Sequence, residues 1–223
     1  MSVLNADVIS LDLDTSIVDI ARAHNYRGYI YHTQGDLDRA IEDFNSAIEL
    51  NPNYADAYYN RGIVYGRQNM LDDAIKDFSE AIKLKPDYAK AYYSRGAAYG
   101  YKGKYDDAIK DFDKAIELNR HNAVAYNNRG SAYRKNGQIE EAIADYNEAI
   151  RLKPDFIDAY NNRGLVRLQL GESEKAKLDL SKARFMGGDI AAAFQKIHGS
   201  VADFEQEYGI TLPGDIATML TKQ

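Results

Sequence analysis

The pentapeptide YNNRG stands at 126–130 and again at 160–164, and near copies YYNRG, YYSRG and HNYRG occupy 58–62, 92–96 and 24–28. Their glycines, Gly28, Gly62, Gly96, Gly130 and Gly164, follow one another at intervals of 34 residues with no insertion or deletion. A constant period of this length marks a repeat architecture, in which each unit buries its apolar face on its neighbour. With Ala21 as position 1, the units are 21–54, 55–88, 89–122, 123–156 and 157–190. Residues 1–20 precede them as a leader.

Each unit reads as a helical hairpin. Ala at position 3, an aromatic or His at 4, Gly at 8 and, in four of the five units, Tyr at 11 recur at helical spacing and define one face of a first helix. Position 15 holds Gly35, Asn69, Gly103, Gly137 or Gly171, residues suited to a left-handed turn that ends a helix. A second helix follows, with Ala at 20 and 27 and a large apolar residue at 24: Phe44, Phe78, Phe112, Tyr146 and Leu180. Pro52, Pro86 and Pro154 at position 32 stop it.

These positions resemble the tetratricopeptide repeat family over residues 21–190. The resemblance implies an all-α fold, a right-handed superhelical α-solenoid of antiparallel hairpins, and a concave groove that takes extended peptides or partner helices. Departures are Arg120 at the third proline position and Arg167, Lys177, Arg184 and Gly188 in the fifth unit.

Position 7 is leucine in the family pattern but arginine in all five units here: Arg27, Arg61, Arg95, Arg129 and Arg163. The second helices carry Asp43, Asp77, Asp111, Asp145 and Asp179 at position 23. In an antiparallel hairpin turning near positions 15–17, positions 7 and 23 stand opposite one another. Five internal Arg–Asp pairs follow, with a role in hairpin register.

If positions 4, 8 and 11 face the second helix, positions 2, 5, 6, 9, 12 and 13 face away from it, and in the family those line the groove. The residues expected to contact a ligand are Asn25, Tyr29, Tyr59, Asn60, Lys90, Tyr93, Tyr101, Asn127, Asn128, Arg134, Lys135, Asn161 and Asn162. Amides can donate to and accept from a peptide backbone whatever its sequence, and tyrosines add apolar contact. The family's carboxylate clamp for chaperone C-terminal tails is incomplete: of its five groups only Asn60 and Lys90 are kept, which argues against that partner.

The composition narrows the rest. A chain of 223 residues with no cysteine has no disulfide, thiol nucleophile or thiolate metal site. A net charge of −6 argues against a nucleic-acid partner. No apolar run reaches the ~18 residues of a spanning helix, and the first residues lack the pattern of a secretory signal, so no membrane insertion and a cytoplasmic location are expected. His24, His32, His121 and His198 lack metal-ligand spacing, and GYKGKY at 100–105 lacks the spacing of a phosphate loop. No cofactor, metal or catalytic group is expected, and the chain reads as a non-enzymatic scaffold for a protein or peptide. The competing expectation is a homo-oligomer in which the leader or tail of one copy enters its neighbour's groove.

At the ends, Ile190, Phe194, Ile197, Val201, Phe204 and Tyr208 form one stripe and predict a single capping helix over 191–208. His198 falls there on the glycine position, which suits a terminator on which no second helix packs. Residues 209–223 read as a tail with a possible short helix after Pro213. The leader, 1–20, reads as partly helical or disordered: ISLDLD at 9–14 alternates in strand fashion and could form an extended arm, a frayed leader is the favoured account, and Ser16 with Asp19 could cap an early start of the first helix.

Overall fold

The computed structural model describes residues 3–221, with side chains from residue 16 onward. The described residues form thirteen α-helices and no strand. The chain divides after Leu118 into two compact bodies. The first holds α1 (Val3–Gln34), α2 (Leu37–Leu50), α3 (Ala55–Arg67), α4 (Leu71–Leu84), α5 (Ala89–Tyr101) and α6 (Tyr105–Leu118). The second holds α7 (Ala123–Lys135), α8 (Ile139–Leu152), α9 (Ile157–Gln169), α10 (Ser173–Phe185), α11 (Ile190–His198), α12 (Val201–Tyr208) and α13 (Gly214–Thr221). Each odd helix from α1 to α9 pairs with the helix after it, and within each body successive hairpins stack. This is the all-α solenoid class.

The hairpins close because the small residues are where two backbones meet. A Cβ on Gly62 would stand 2.8 Å from Phe78 Cε1 and 3.3 Å from the Ala74 carbonyl oxygen. Ala40, Ala74, Ala108, Ala142 and Ala176 at position 20 are fully buried. The connecting turn requires a positive φ at position 15, met by Gly35, Gly103, Gly137 and Gly171 and by Asn69 at 60°, the one non-glycine residue in that region among those described. Asp36 and Asn122 cap the starts of α2 and α7 by accepting from Arg39 N and Ala125 N. Gly188, at the proline position of the fifth unit, is tightly enclosed: a Cβ there would meet Ile157 Cγ2 at 2.7 Å and the Ala183 carbonyl oxygen at 2.9 Å.

Three expectations at the ends are corrected. The leader is helical from Val3 and continuous with α1, so the stretch 9–14 is neither strand nor extended arm nor frayed; residues 1 and 2 of the leader lie outside the described residues. Ser16 lies within α1 and does not begin a helix.

The single cap over 191–208 is two helices, broken where Gly199 takes a φ of 75° and Ser200 begins α12 with a capping box shared with Asp203. This break folds α12 back, so His198 does not stand clear of a second helix. Its ring lies 4.8 Å edge-on from Phe204 and 5.9 Å from Tyr208. In the tail, α13 packs into the same core through Leu212, Ile216 and Leu220, and Lys177 of α10 pairs with Asp215; residues 222 and 223 lie outside the described residues.

Candidate functional site

The repeated arginines form a frame inside the hairpins. In all five hairpins the position-7 guanidinium donates through Nε and Nη2 to both carboxylate oxygens of the position-23 aspartate, at 2.6–2.8 Å. The aspartates are buried, and bidentate pairing satisfies both oxygens at once. Arg61, Arg95 and Arg163 also use Nη1 to reach position 25 of the preceding hairpin: Asn45 Oδ1 at 2.6 Å, Ser79 Oγ at 2.9 Å and Asn147 Oδ1 at 2.5 Å. Each therefore ties its own two helices together and staples the hairpin to the one before. Tyrosines at positions 4 and 11 flank the guanidinium; Tyr58 and Tyr65 stand 5.7 and 5.8 Å from Arg61.

The first and fifth copies differ as their places require. Arg27 has no earlier hairpin to reach, its side chain is 58% exposed, and His24 Nδ1 joins Asp43 at 2.9 Å instead. The hydrogen bond from Arg27 holds the Asp43 carboxyl below its ordinary range although burial opposes it. In the fifth hairpin Arg167 replaces the second tyrosine and gives Asp179 a further donor, Nη1, at 2.7 Å.

In the first body the first helices lie side by side, and their outward positions enclose a cleft of about 440 Å³. Asn25, Tyr29 and His32 of α1, Asp56, Tyr59, Asn60 and Ile63 of α3, then Tyr88 and Lys90 line it. Asn60 Nδ2 donates to Asn25 Oδ1 at 2.9 Å, and Asn25 Nδ2 donates to the Tyr54 hydroxyl at 3.2 Å. The Tyr88 hydroxyl donates to Asp56 Oδ1 at 2.7 Å, while its ring lies 5.0 Å from that of Tyr59. Burial and the Asp56 carboxylate both raise the Tyr88 pKa, so it stays a donor. His32 presents a buried Nε2 with no hydrogen-bond partner among the described residues, and burial and the nearby Arg67 charge lower its pKa. Tyr29 is half exposed and Tyr101 almost fully so. Tyr59 and Tyr93 also pack on Phe78 and Phe112, at 5.9 and 5.8 Å, and so belong partly to the hairpin core.

The second body treats the same positions differently. Asn127 and Asn161 are buried, at 6% and 8% exposure, and therefore do not face an open groove. Asn162 Nδ2 donates to Asn127 Oδ1 at 3.0 Å, repeating the link between Asn60 and Asn25, so positions 5 and 6 join adjacent hairpins before they meet any ligand. Leu165 and Leu168, groove positions of the fifth hairpin, are buried in one core with Phe194, Phe204 and Ile216. Gln169 Nε2 donates to the Tyr208 hydroxyl at 2.9 Å. The protein's own C-terminal helices thus cover this stretch. Asn128 and Arg134 are half-buried, Lys135 is exposed, and the Arg134 charge acts on both His198 and Tyr208. Sequence reasoning missed Tyr54 and Tyr88; their recurrence at position 34 of the first two units was the available signal.

Hairpins stacked on an Arg–Asp frame, with polar and aromatic side chains on the first-helix face, define a repeat scaffold for protein interaction. The chain belongs to the tetratricopeptide repeat family: models described as TPR repeat match residues 28–69 and 130–171, and models described as tetratricopeptide repeat match 55–88, 89–122 and 112–144. Among solved structures, MamA is 31% identical with a TM-score of 0.68, covering 71% of this chain and 93% of its own. YrrB, described as a TPR protein with an unusual peptide-binding site, is 24% identical with a TM-score of 0.66, covering 78% of this chain and 90% of its own. PilF of Pseudomonas aeruginosa shares the fold at 13% identity and a TM-score of 0.72, over 87% of this chain and 99% of its own. Among curated proteins none matches this chain. No described helix is long and apolar enough to cross a membrane.

Proposed function

We propose that the chain is a binding module, not an enzyme, and that it takes an extended protein segment in the cleft of its first body. One observation carries this reading: amide, phenol, imidazole and ammonium groups converge on an open cleft there, whereas α12 covers the corresponding face of the fifth hairpin. The amide chain from Asn60 through Asn25 to Tyr54 fixes the orientation of side chains that can then meet a peptide backbone without reordering, which lowers the entropic cost of binding. Tyr29 and Ile63 supply apolar contact beside it.

Selection of random peptides displayed on phage against the full chain, followed by calorimetric titration of the best binder, tests the assignment. Tyr29→Ala/Asn60→Ala is expected to weaken that peptide at least ~10-fold, the loss of one or two well-placed contacts, while Arg134→Ala/Lys135→Ala leaves it unchanged. Equal affinity for wild type and Tyr29→Ala/Asn60→Ala would overturn the assignment.

A further inference from the structure

The five repeats act as references for one another, and two surface positions on α10 break the pattern. Position 22 is Glu42, Lys76, Lys110 and Ala144 in the first four units, and position 29 is Glu49, Lys83, Glu117 and Arg151; all eight are exposed. In the fifth unit these positions are Leu178 and Phe185, which remain 72% and 86% exposed. Seven residues apart, they share one face of α10, opposite the buried Ala176, Leu180 and Ala183. Lys175 and Lys182 stand three and four residues from Leu178 on the same face, with the exposed Glu174 four residues before it; Lys175 Nζ pairs with Glu172 Oε1 at 2.9 Å, and Lys182 Nζ lies 5.9 Å from the centre of the Phe185 ring. A large apolar pair offered to water where seven of the eight equivalent residues are charged marks a contact surface, and α10, with four cations (Lys175, Lys177, Lys182, Arg184) against Glu174 and the buried Asp179, favours an acidic partner.

A segment of that chemistry exists in the chain. Helix α1 has 32 residues and its hairpin partner α2 has 14, so about 27 Å of α1 outruns α2 at about 1.5 Å per residue. Residues 3–20 contain Asp7, Asp12, Asp14 and Asp19, no cation, and a high share of Val, Leu and Ile. Where side chains are described, Ile17 and Ile20 are exposed.

We propose that the α1 overhang of one copy lies along the Leu178–Phe185 face of α10 in a second copy, giving head-to-tail association through unlike surfaces. The contact is independent of the peptide cleft. Aliphatic side chains of α1 cover Leu178 and Phe185, and its aspartates meet Lys175 and Lys182, so added salt weakens the assembly.

Sedimentation velocity of the full chain over a concentration series, at low and high salt, tests this. Wild type is expected to associate with rising concentration, more weakly at high salt. Leu178→Glu/Phe185→Glu and Asp12→Lys/Asp14→Lys/Asp19→Lys are each expected to raise the dissociation constant at least ~10-fold, with helical circular dichroism unchanged because the described positions are exposed. Each variant keeps one half of the contact, so an equal mixture of the two should form a heterodimer at concentrations where neither variant associates alone. Four results overturn the proposal: a wild type that stays monomeric throughout, a variant that associates as wild type does, a mixture with no heterodimer, or co-sedimentation of wild type with phosphatidylserine–phosphatidylcholine vesicles that the Leu178→Glu/Phe185→Glu variant loses. The last would make the face a membrane-binding surface.

Discussion

An arginine beside a glycine joins two requirements of the hairpin at one turn of helix. The glycine lets Phe78 approach the backbone of α3, and one residue earlier Arg61 reaches Asp77 and the preceding Asn45. Removing only one charge leaves the other buried and unpaired. Asp77→Ala is therefore expected to cost ~3–5 kcal/mol, read from urea unfolding, while Arg61→Met/Asp77→Leu recovers much of that loss because the pair's desolvation cost goes with it. A double variant no more stable than Asp77→Ala would show that the link to Asn45 matters more than the pair. Gly62→Ala forces the Phe78 ring away from α3 and should cost ~1–3 kcal/mol in the same assay. The Arg–Asp geometry was legible from position sums in an antiparallel hairpin. The third donor, to the preceding hairpin, was not, because a repeat phase gives spacing within units and no distance between them.

The C-terminal helices show the same limit one level up. The apolar stripe from Ile190 to Tyr208 points at the core as its spacing requires, yet it runs over two helices because Gly199 and the Ser200–Asp203 capping box interrupt it. That box was visible in the sequence as Ser followed three residues later by Asp; periodicity alone hid it. Phe204 is fully buried where α12 meets the fifth hairpin, and Phe204→Ala should cost ~3–5 kcal/mol. His198 faces Glu207 on α12 and the charges of Arg134 and Lys135 on α7; burial, then Arg134, push its pKa below the ordinary 6.5, with Glu207 opposing. The folded state thus favours the neutral ring. Its contribution is intact above pH 6.5 and is lost as pH falls through the lower folded value. Hydrogen exchange of α11 and α12 should accelerate between pH 7.5 and 5 once corrected for intrinsic rates, and His198→Phe should abolish the pH dependence; an identical dependence in that variant would assign it to another group.

Across the whole chain, the repeat phase identified the family and all ten hairpin helices, since five copies of one pattern leave little freedom in register. It could not say which part of the first-helix face stays open. Asn127 and Asn161 have the same residue type and position as Asn25, yet they are buried while Asn25 borders a cleft. Leu165 and Leu168, two further groove positions, are covered by the tail, which lies outside the period. The proposed recognition surface is therefore the cleft of the first body. Amide shift mapping of the full chain with the phage-selected peptide addresses this most directly: the predicted result is perturbation centred on α1, α3 and the Asn25 and Asn60 side-chain amides, with α9 and α12 unmoved. Perturbations centred on α9 and α12 would contradict it.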